Sequence, residues 1–196
     1  MKLLPTKLPG LLIIEPDVFL DARGHFLETY NAKIFSDHGV YETMVQDNIS
    51  FSRAGTLRGL HYQLDPFAQG KHVSCIQGEI FDVAVDIRRG SPTFGQWFGI
   101  TLSADNKRMV CIPPGFAHGF CAISDATIVY KCTNFYSPGH ARDIAWNDPE
   151  INISWPIVPN QNLISEKDKK ATLLKDAELG FHFLHTPSIG ETPFSL

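Results

Sequence analysis

Ile80-Phe81-Asp82-Val83-Ala84-Val85-Asp86-Ile87 decides the fold class. The run is apolar and β-branched, too short for an ordinary helix, and bounded by Gly78 and by Gly90-Ser91-Pro92, so it reads as a strand. The β period of two puts Phe81, Val83, Val85 and Ile87 on one face and Ile80, Asp82, Ala84 and Asp86 on the other. Two aspartates on one face have two readings. Either they face water, or that face lines a polar cavity inside a barrel, where Asp82 would orient a cationic or histidine partner. Periodicity leaves both open.

Similar runs continue along the chain. Val73 to Gln77, Gln96 to Leu102, Arg108 to Ile112, His118 to Ile123 and Thr127 to Thr133 all read as strands. Turn residues separate them, among them Ala104-Asp105-Asn106, Pro113-Pro114-Gly115 and Ser124-Asp125. Short strands at this spacing indicate an all-β sandwich or barrel. Helix is scarce. Asn31 caps a short helix through Asp37, ended by Gly39, and a second helical stretch runs from about Glu166 to Leu179, closed by Gly180. The last fifteen residues, with Pro187, Gly190 and Pro193, read as a loosely packed tail. The expectation is one all-β domain over residues 1–196, with a helical segment and tail from about 160.

A length of 196 residues suits one domain with a substantial core. The formal charge of −4 argues against a nucleic-acid partner, which basic excess would hold, while leaving room for a nucleotide ligand. The apolar run from Leu8 to Ile14 is broken by Pro9-Gly10 and lacks a small-residue cleavage site, so it does not read as a leader. No stretch approaches the ~18 apolar residues of a membrane span. Cys75, Cys111, Cys121 and Cys132 show no C-x-x-C spacing and read as reduced thiols within strands. The expected location is the cytoplasm. Neither G-x-G-x-x-G after a strand nor a P-loop is present, which excludes the common dinucleotide and nucleotide-hydrolase motifs.

Residues with chemical potential gather near strand ends: Arg58 and His61, Lys71, His118, Tyr130, and the pair Lys167-Asp168. Three histidines on separate strands would suit zinc or iron. However, a β-barrel metal site commonly uses an H-x-H pair followed by a carboxylate, and two residues beyond His61 stands Gln63. No metal is expected. The alternative is acid–base chemistry beside a ketone, which needs a base, a donor for the enolate oxygen and an acid on the opposite face. His61, Lys71 and Tyr130 are one of each type. Taken singly, each is as readily a structural residue, and the residues alone stop at a β-barrel with a histidine-containing site.

Longer motifs carry the reading further. Leu57-Arg58-Gly59-Leu60-His61-Tyr62-Gln63, Gly78 to Arg88, Ser91-Pro92-Thr93-Phe94-Gly95-Gln96-Trp97, Leu102 to Arg108, Ile112 to Phe120 and Trp146-Asn147-Asp148-Pro149 resemble the dTDP-4-dehydrorhamnose 3,5-epimerase family. The similarity runs collinearly from Ile13 to Asp168, about four-fifths of the chain. The resemblance implies a homodimeric jelly-roll of the cupin superfamily. It implies conversion of dTDP-4-dehydro-6-deoxyglucose to dTDP-4-dehydrorhamnose, without a cofactor, in dTDP-rhamnose biosynthesis.

By the same resemblance, His61 is the base, polarised by Asp168, and Tyr130 is the proton donor on the other face. Lys71 would steady the enolate oxygen, with His118 and Asp82 supporting that region. Arg23 and Arg58 would hold the diphosphate. Phe26 and Glu28 would contact nucleotide across the dimer interface, and Gln46, Asn48 and Lys167 would contact substrate. One position departs from the pattern. The family often carries an acidic residue five positions before the tryptophan of Trp-Asn-Asp-Pro, and here stands Ala141, with Asp143 a candidate replacement. The departure keeps a single-position epimerase in view. A non-catalytic sugar-nucleotide-binding cupin is the alternative outside the enzymes, although binding alone needs no acid opposite the base.

Overall fold

The computed structural model describes residues 1–183 and is built almost wholly of strands. In chain order these are β1 (Lys2–Pro5), β2 (Leu12–Glu15), β3 (Val18–Asp21), β4 (Gly24–Leu27), β5 (Gln46–Ser52), β6 (Leu57–Gln63) and β7 (Lys71–Gln77). There follow β8 (Glu79–Asp86), β9 (Trp97–Ser103), β10 (Met109–Ile112), β11 (Phe116–Ala122), β12 (Ala126–Cys132) and β13 (Ala141–Asp143). A six-stranded sheet runs β1-β2-β10-β7-β12-β5, and a five-stranded sheet runs β13-β6-β11-β8-β9. Strands β3 and β4 form a separate hairpin. All of the named strand pairings are antiparallel. The architecture is the expected jelly-roll.

The main core lies between the two large sheets. Val73, Cys75, Val110, Ile112 and Ile128 from the six-stranded sheet meet Ile80, Ala84, Leu102 and Phe120 from the five-stranded one. The other face of β8 is buried as well. Val83, Val85 and Ile87 pack with Leu60, Tyr62, Leu174 and Phe181, where the C-terminal segment covers the smaller sheet. A strand covered on both faces reads as a near-continuous apolar run, which is how β8 reads.

Both aspartates of β8 are buried, so the water-facing reading is corrected: Asp82 is 1% exposed and Asp86 0%. A buried carboxylate needs partners. Asp86 accepts hydrogen bonds from Arg88, Ser91 and Thr93, at 2.6–2.8 Å. Burial pushes its pKa up, yet these bonds outweigh burial and hold it below the ordinary value. Asp82 is paired with His118, described below. The four cysteines are free and buried, as expected. No helix among the described residues is long and apolar enough to cross a membrane.

The first helix, α1 (Ala32–Asp37), stands where the cap predicts it: Asn31 Oδ1 accepts from the Lys33 and Ile34 amides, and Gly39 follows at φ 82°. The second expected helix is corrected. Only one turn forms, α2 (Glu166–Lys169), capped by Ser165, followed by a 3-10 turn at Leu174–Asp176. Tertiary bonds take over from helical ones there. Thr172 bridges to Ile144, and the Leu174 amide donates to Asp148 Oδ2 at 2.7 Å. Asp148, of the Trp-Asn-Asp-Pro motif, also accepts from the Glu150 and Ile151 amides. From about 160 to 183 the chain is therefore anchored, with Phe181 in the second core cluster and the Phe183 amide bonded to the Arg89 carbonyl. Most of the tail, residues 184–196, lies outside the described residues.

One glycine positions the site. Gly59 has φ 129°, and a Cβ there would meet Gly119 Cα at 2.5 Å and His118 O at 3.0 Å. A Cβ on Gly119 would in turn meet Arg58 O at 2.7 Å. Side chains are thus excluded where β6 crosses β11, and this close approach sets His61 opposite His118 in the register. Gly59→Ala should lower the thermal midpoint by about 2–12 °C, given ~2–4 °C per kcal/mol for a chain of this size and a strain of ~1–3 kcal/mol. Calorimetry of the two proteins measures it, and an unchanged midpoint would contradict the close approach.

Candidate active site

The two large sheets present opposed walls to one cavity of about 430 Å³. His61 on β6 enters from the five-stranded sheet, and Lys71 on β7, Tyr130 on β12, and Gln46 and Asn48 on β5 enter from the six-stranded sheet. Alternation along each strand explains the grouping, because Gln46 and Asn48 are two residues apart and so face one way. An adjoining cleft of about 570 Å³ shares His61 and Lys167 with the cavity and adds Arg58 and Asp168.

His61 is held by a carboxylate. Its Nε2 lies 2.7 Å from Asp168 Oδ1, joining residues 107 positions apart in the chain. Ser165, the cap of α2, accepts the Asp168 amide at 3.1 Å and so fixes the turn that delivers the carboxylate. Burial works to raise the Asp168 pKa. Hydrogen bonds from His61, Ser165 and the Gly59 backbone, with the attraction of His61, prevail and hold it below the ordinary value. Asp168 is therefore an anion at neutral pH and an acceptor only. That assigns the proton of a neutral His61 to Nε2 and leaves Nδ1 as the basic nitrogen.

On the same sheet, His118 Nε2 lies 2.8 Å from Asp82 Oδ2. Burial drives the His118 pKa down, against the pull of Asp82, and Lys71 and His61 also lower it. The partner anticipated for Asp82 from β periodicity is thus a histidine. On the facing sheet, burial lowers the pKa of Lys71, with Cys132 and Asp82 opposing. Among the described residues no ion pair holds the Lys71 ammonium. Burial raises the Tyr130 pKa, so its phenol keeps the proton at neutral pH.

Other expected residues stand apart. Arg58 donates to Ser52 Oγ at 3.0 Å and to the Phe51 carbonyl at the edge of the cleft. Arg23 and Phe26 line a separate depression on the exposed β3–β4 hairpin, where Arg23 pairs with Asp21 at 2.6 Å. Glu28 is likewise outside the cavity and accepts from Asn31. Within one chain the structure does not bring these three to His61.

Several cavity residues went unread in the sequence: Gln69, Cys132, Tyr136 and Arg142 line it, as does Gln63. Cys132 is two residues beyond Tyr130 on one strand, so β alternation could have found it. Gln69, Tyr136 and Arg142 come from loops or a short edge strand and carry no such signal. Gln63 spends its side-chain amide tying loops together, donating to the Phe67 and Phe135 carbonyls and accepting from the Ser137 amide.

A family model described as dTDP-4-dehydrorhamnose 3,5-epimerase matches residues 5–176. The chain belongs to that family. Its similarity to curated members is high: it is 55% identical over 181 residues to a dTDP-4-dehydrorhamnose 3,5-epimerase of Shigella flexneri, covering 91% of this chain and 98% of the relative. Among solved structures, it is similar to an epimerase of Legionella pneumophila in complex with dTDP-4-keto-L-rhamnose. That match has a TM-score of 0.89 and 46% identity, over 93% of this chain and 99% of the other. A 3'-monoepimerase of Streptomyces bikiniensis, in complex with dTDP-quinovose, is a more distant family fold at 33% identity and TM-score 0.81, covering 87% of each chain.

The His61–Asp168 pair generates a prediction. Asp168→Asn keeps the shape but removes the anion that fixes the tautomer and favours the imidazolium. Turnover of the 4-keto sugar nucleotide should fall by about 10²–10⁴-fold while the fold persists. Steady-state rates paired with circular dichroism test this, and a near-native kcat in the folded variant would remove Asp168 from the role.

Proposed function

We infer that this chain is a dTDP-4-dehydrorhamnose 3,5-epimerase, converting dTDP-4-dehydro-6-deoxy-α-D-glucose to dTDP-4-dehydro-β-L-rhamnose by proton abstraction and return at C3 and C5. The observation that carries the reading is one cavity with a carboxylate-held histidine on one sheet and a protonated phenol with a lysine on the other. Family membership and relatives bearing that activity support it.

The chemistry follows from the substrate. A hydrogen at C3 or C5 is acidic only because the C4 ketone accepts the negative charge as an enolate. His61 Nδ1 takes the proton, and Asp168 stabilises the resulting imidazolium. Lys71 faces the developing oxyanion. At ~4 Å and an effective dielectric near 20, one such charge pair is worth ~4 kcal/mol before desolvation is counted. Tyr130 returns a proton from the opposite side. The ketone is already in the substrate, so no redox cofactor is required, and we expect no metal: activity should survive exhaustive chelation.

Arg58 and Lys167, at the shared cleft, suit the diphosphate. We propose that Arg23, Phe26 and Glu28 complete the nucleotide site across a homodimer. Their hairpin exposes Phe19, Leu20 and Phe26 at 63%, 78% and 69%, an apolar surface that a second copy would cover. A cytoplasmic location fits a nucleotide-sugar enzyme whose thiols are free.

The test is NMR of dTDP-4-dehydro-6-deoxyglucose in deuterated buffer with the purified protein. Deuterium should enter both C3 and C5 and the rhamno product should form. His61→Asn should abolish both, by about 10²-fold or more, while dTDP binding by calorimetry persists. Label at one carbon alone would make this a single-position epimerase, and binding with no exchange would make it a binding module.

A further inference from the structure

Asp143 stands beside the proposed base, and the mechanism above does not use it. Strand β13 pairs with β6 so that Asp143 is the direct cross-strand neighbour of His61. Its Oδ1 lies 3.6 Å from His61 Nε2 and 2.9 Å from Lys167 Nζ. That oxygen is shielded from solvent and accepts no hydrogen bond among the described residues. Ala141, two positions earlier on the same strand, lines the cavity, while Asp143 is not among the residues that line it.

Leaving a shielded carboxylate oxygen without a hydrogen bond is unfavourable. Its placement is better explained by charge. Lys167, at 55% side-chain exposure, balances it in the resting site, and the carboxylate also faces the nitrogen that shares the imidazolium charge after proton transfer. We propose that Asp143 is a positioning residue that, with Lys167 as counter-ion, sets the proton affinity of His61. The inference rests on the reading of His61 as the base. The bland alternative is a surface ion pair between Asp143 and Lys167 with no bearing on the ring, worth little at such exposure.

The charged groups around His61 are Asp168 and Lys167 from α2, Asp143 from β13, and His118 with Asp82 from β11 and β8. Lys71 on β7 acts from the facing sheet, lining the same cavity and lowering His118 as His61 does. The two members of the proposed pair carry opposite charges, so their removal must act in opposite directions. A carboxylate near an imidazole favours its charged form, and an ammonium disfavours it.

The measurement is the NMR titration of His61 in the free full-length protein, in chelator-treated buffer, with resonances assigned by the loss of one signal in His61→Asn. Asp143→Asn, which preserves shape, should lower the His61 pKa by about one unit. Lys167→Met, at an exposed position, should raise it by about half a unit or more. Titrations unchanged in both variants, or shifted in the same direction, would overturn the proposal. The pH dependence of kcat/KM then separates it from the reading it rests on. If His61 is the base, the acid limb moves with the NMR values, to lower pH in Asp143→Asn. A moved titration with an unmoved acid limb keeps Asp143 as the residue that tunes His61 and removes His61 as the base.

Discussion

A planar enolate can be inverted only if the proton leaves from one side and returns on the other. That constraint gives the two-sheet architecture its meaning in the proposed mechanism. A single sheet presents its side chains from one side of a ligand. Two sheets packed face to face, with their core below, hold a flat substrate between walls of different chemistry. Here the wall with His61 belongs to the five-stranded sheet, which also carries the buried His118–Asp82 pair, and the wall with Lys71 and Tyr130 belongs to the six-stranded sheet. The jelly-roll supplies both walls from neighbouring strands, β6 with β11 and β7 with β12.

Burial then sorts the groups into roles. It drives the pKa of Lys71 and His118 down and that of Tyr130 up, because each charged form loses hydration. A phenol that holds its proton is suited to give one to a carbanion. Asp168 goes the other way, since its hydrogen bonds outweigh burial, and it remains an anion behind His61. One barrel interior therefore keeps a neutral acid and an anionic support at the same pH. The difference lies in the number of donors each group finds.

Much of this was legible in the sequence, for identifiable reasons. Strands such as β8 and β12 announce themselves by β-branched runs between turns, and α1 by Asn31 and Gly39. Periodicity put Asp82 and Asp86 on one face, but it could not say whether that face met water. Burial on both sides of β8 depends on residues nearly a hundred positions later. The helix expected through Leu179 failed for a similar reason: Asp148 captures the Leu174 amide, a bond that local propensity cannot anticipate. The His61–Asp168 pair spans 107 residues and was legible only through the family resemblance. Asp143 was noticed only as a candidate replacement for the acidic residue missing at Ala141, while its place beside His61 emerges from strand register alone.

The central claim is that acid and base act from opposite walls, and Tyr130→Phe tests it most directly. The variant loses one hydroxyl and keeps the ring that packs against the core. In deuterated buffer, NMR follows exchange and inversion separately in the same sample. The account predicts continued deuterium entry beside the ketone, through His61, with the inverted product falling by about 10²-fold or more. Doubly inverted sugar formed at the native rate would contradict it, and would return Tyr130 to the role of a packed barrel residue.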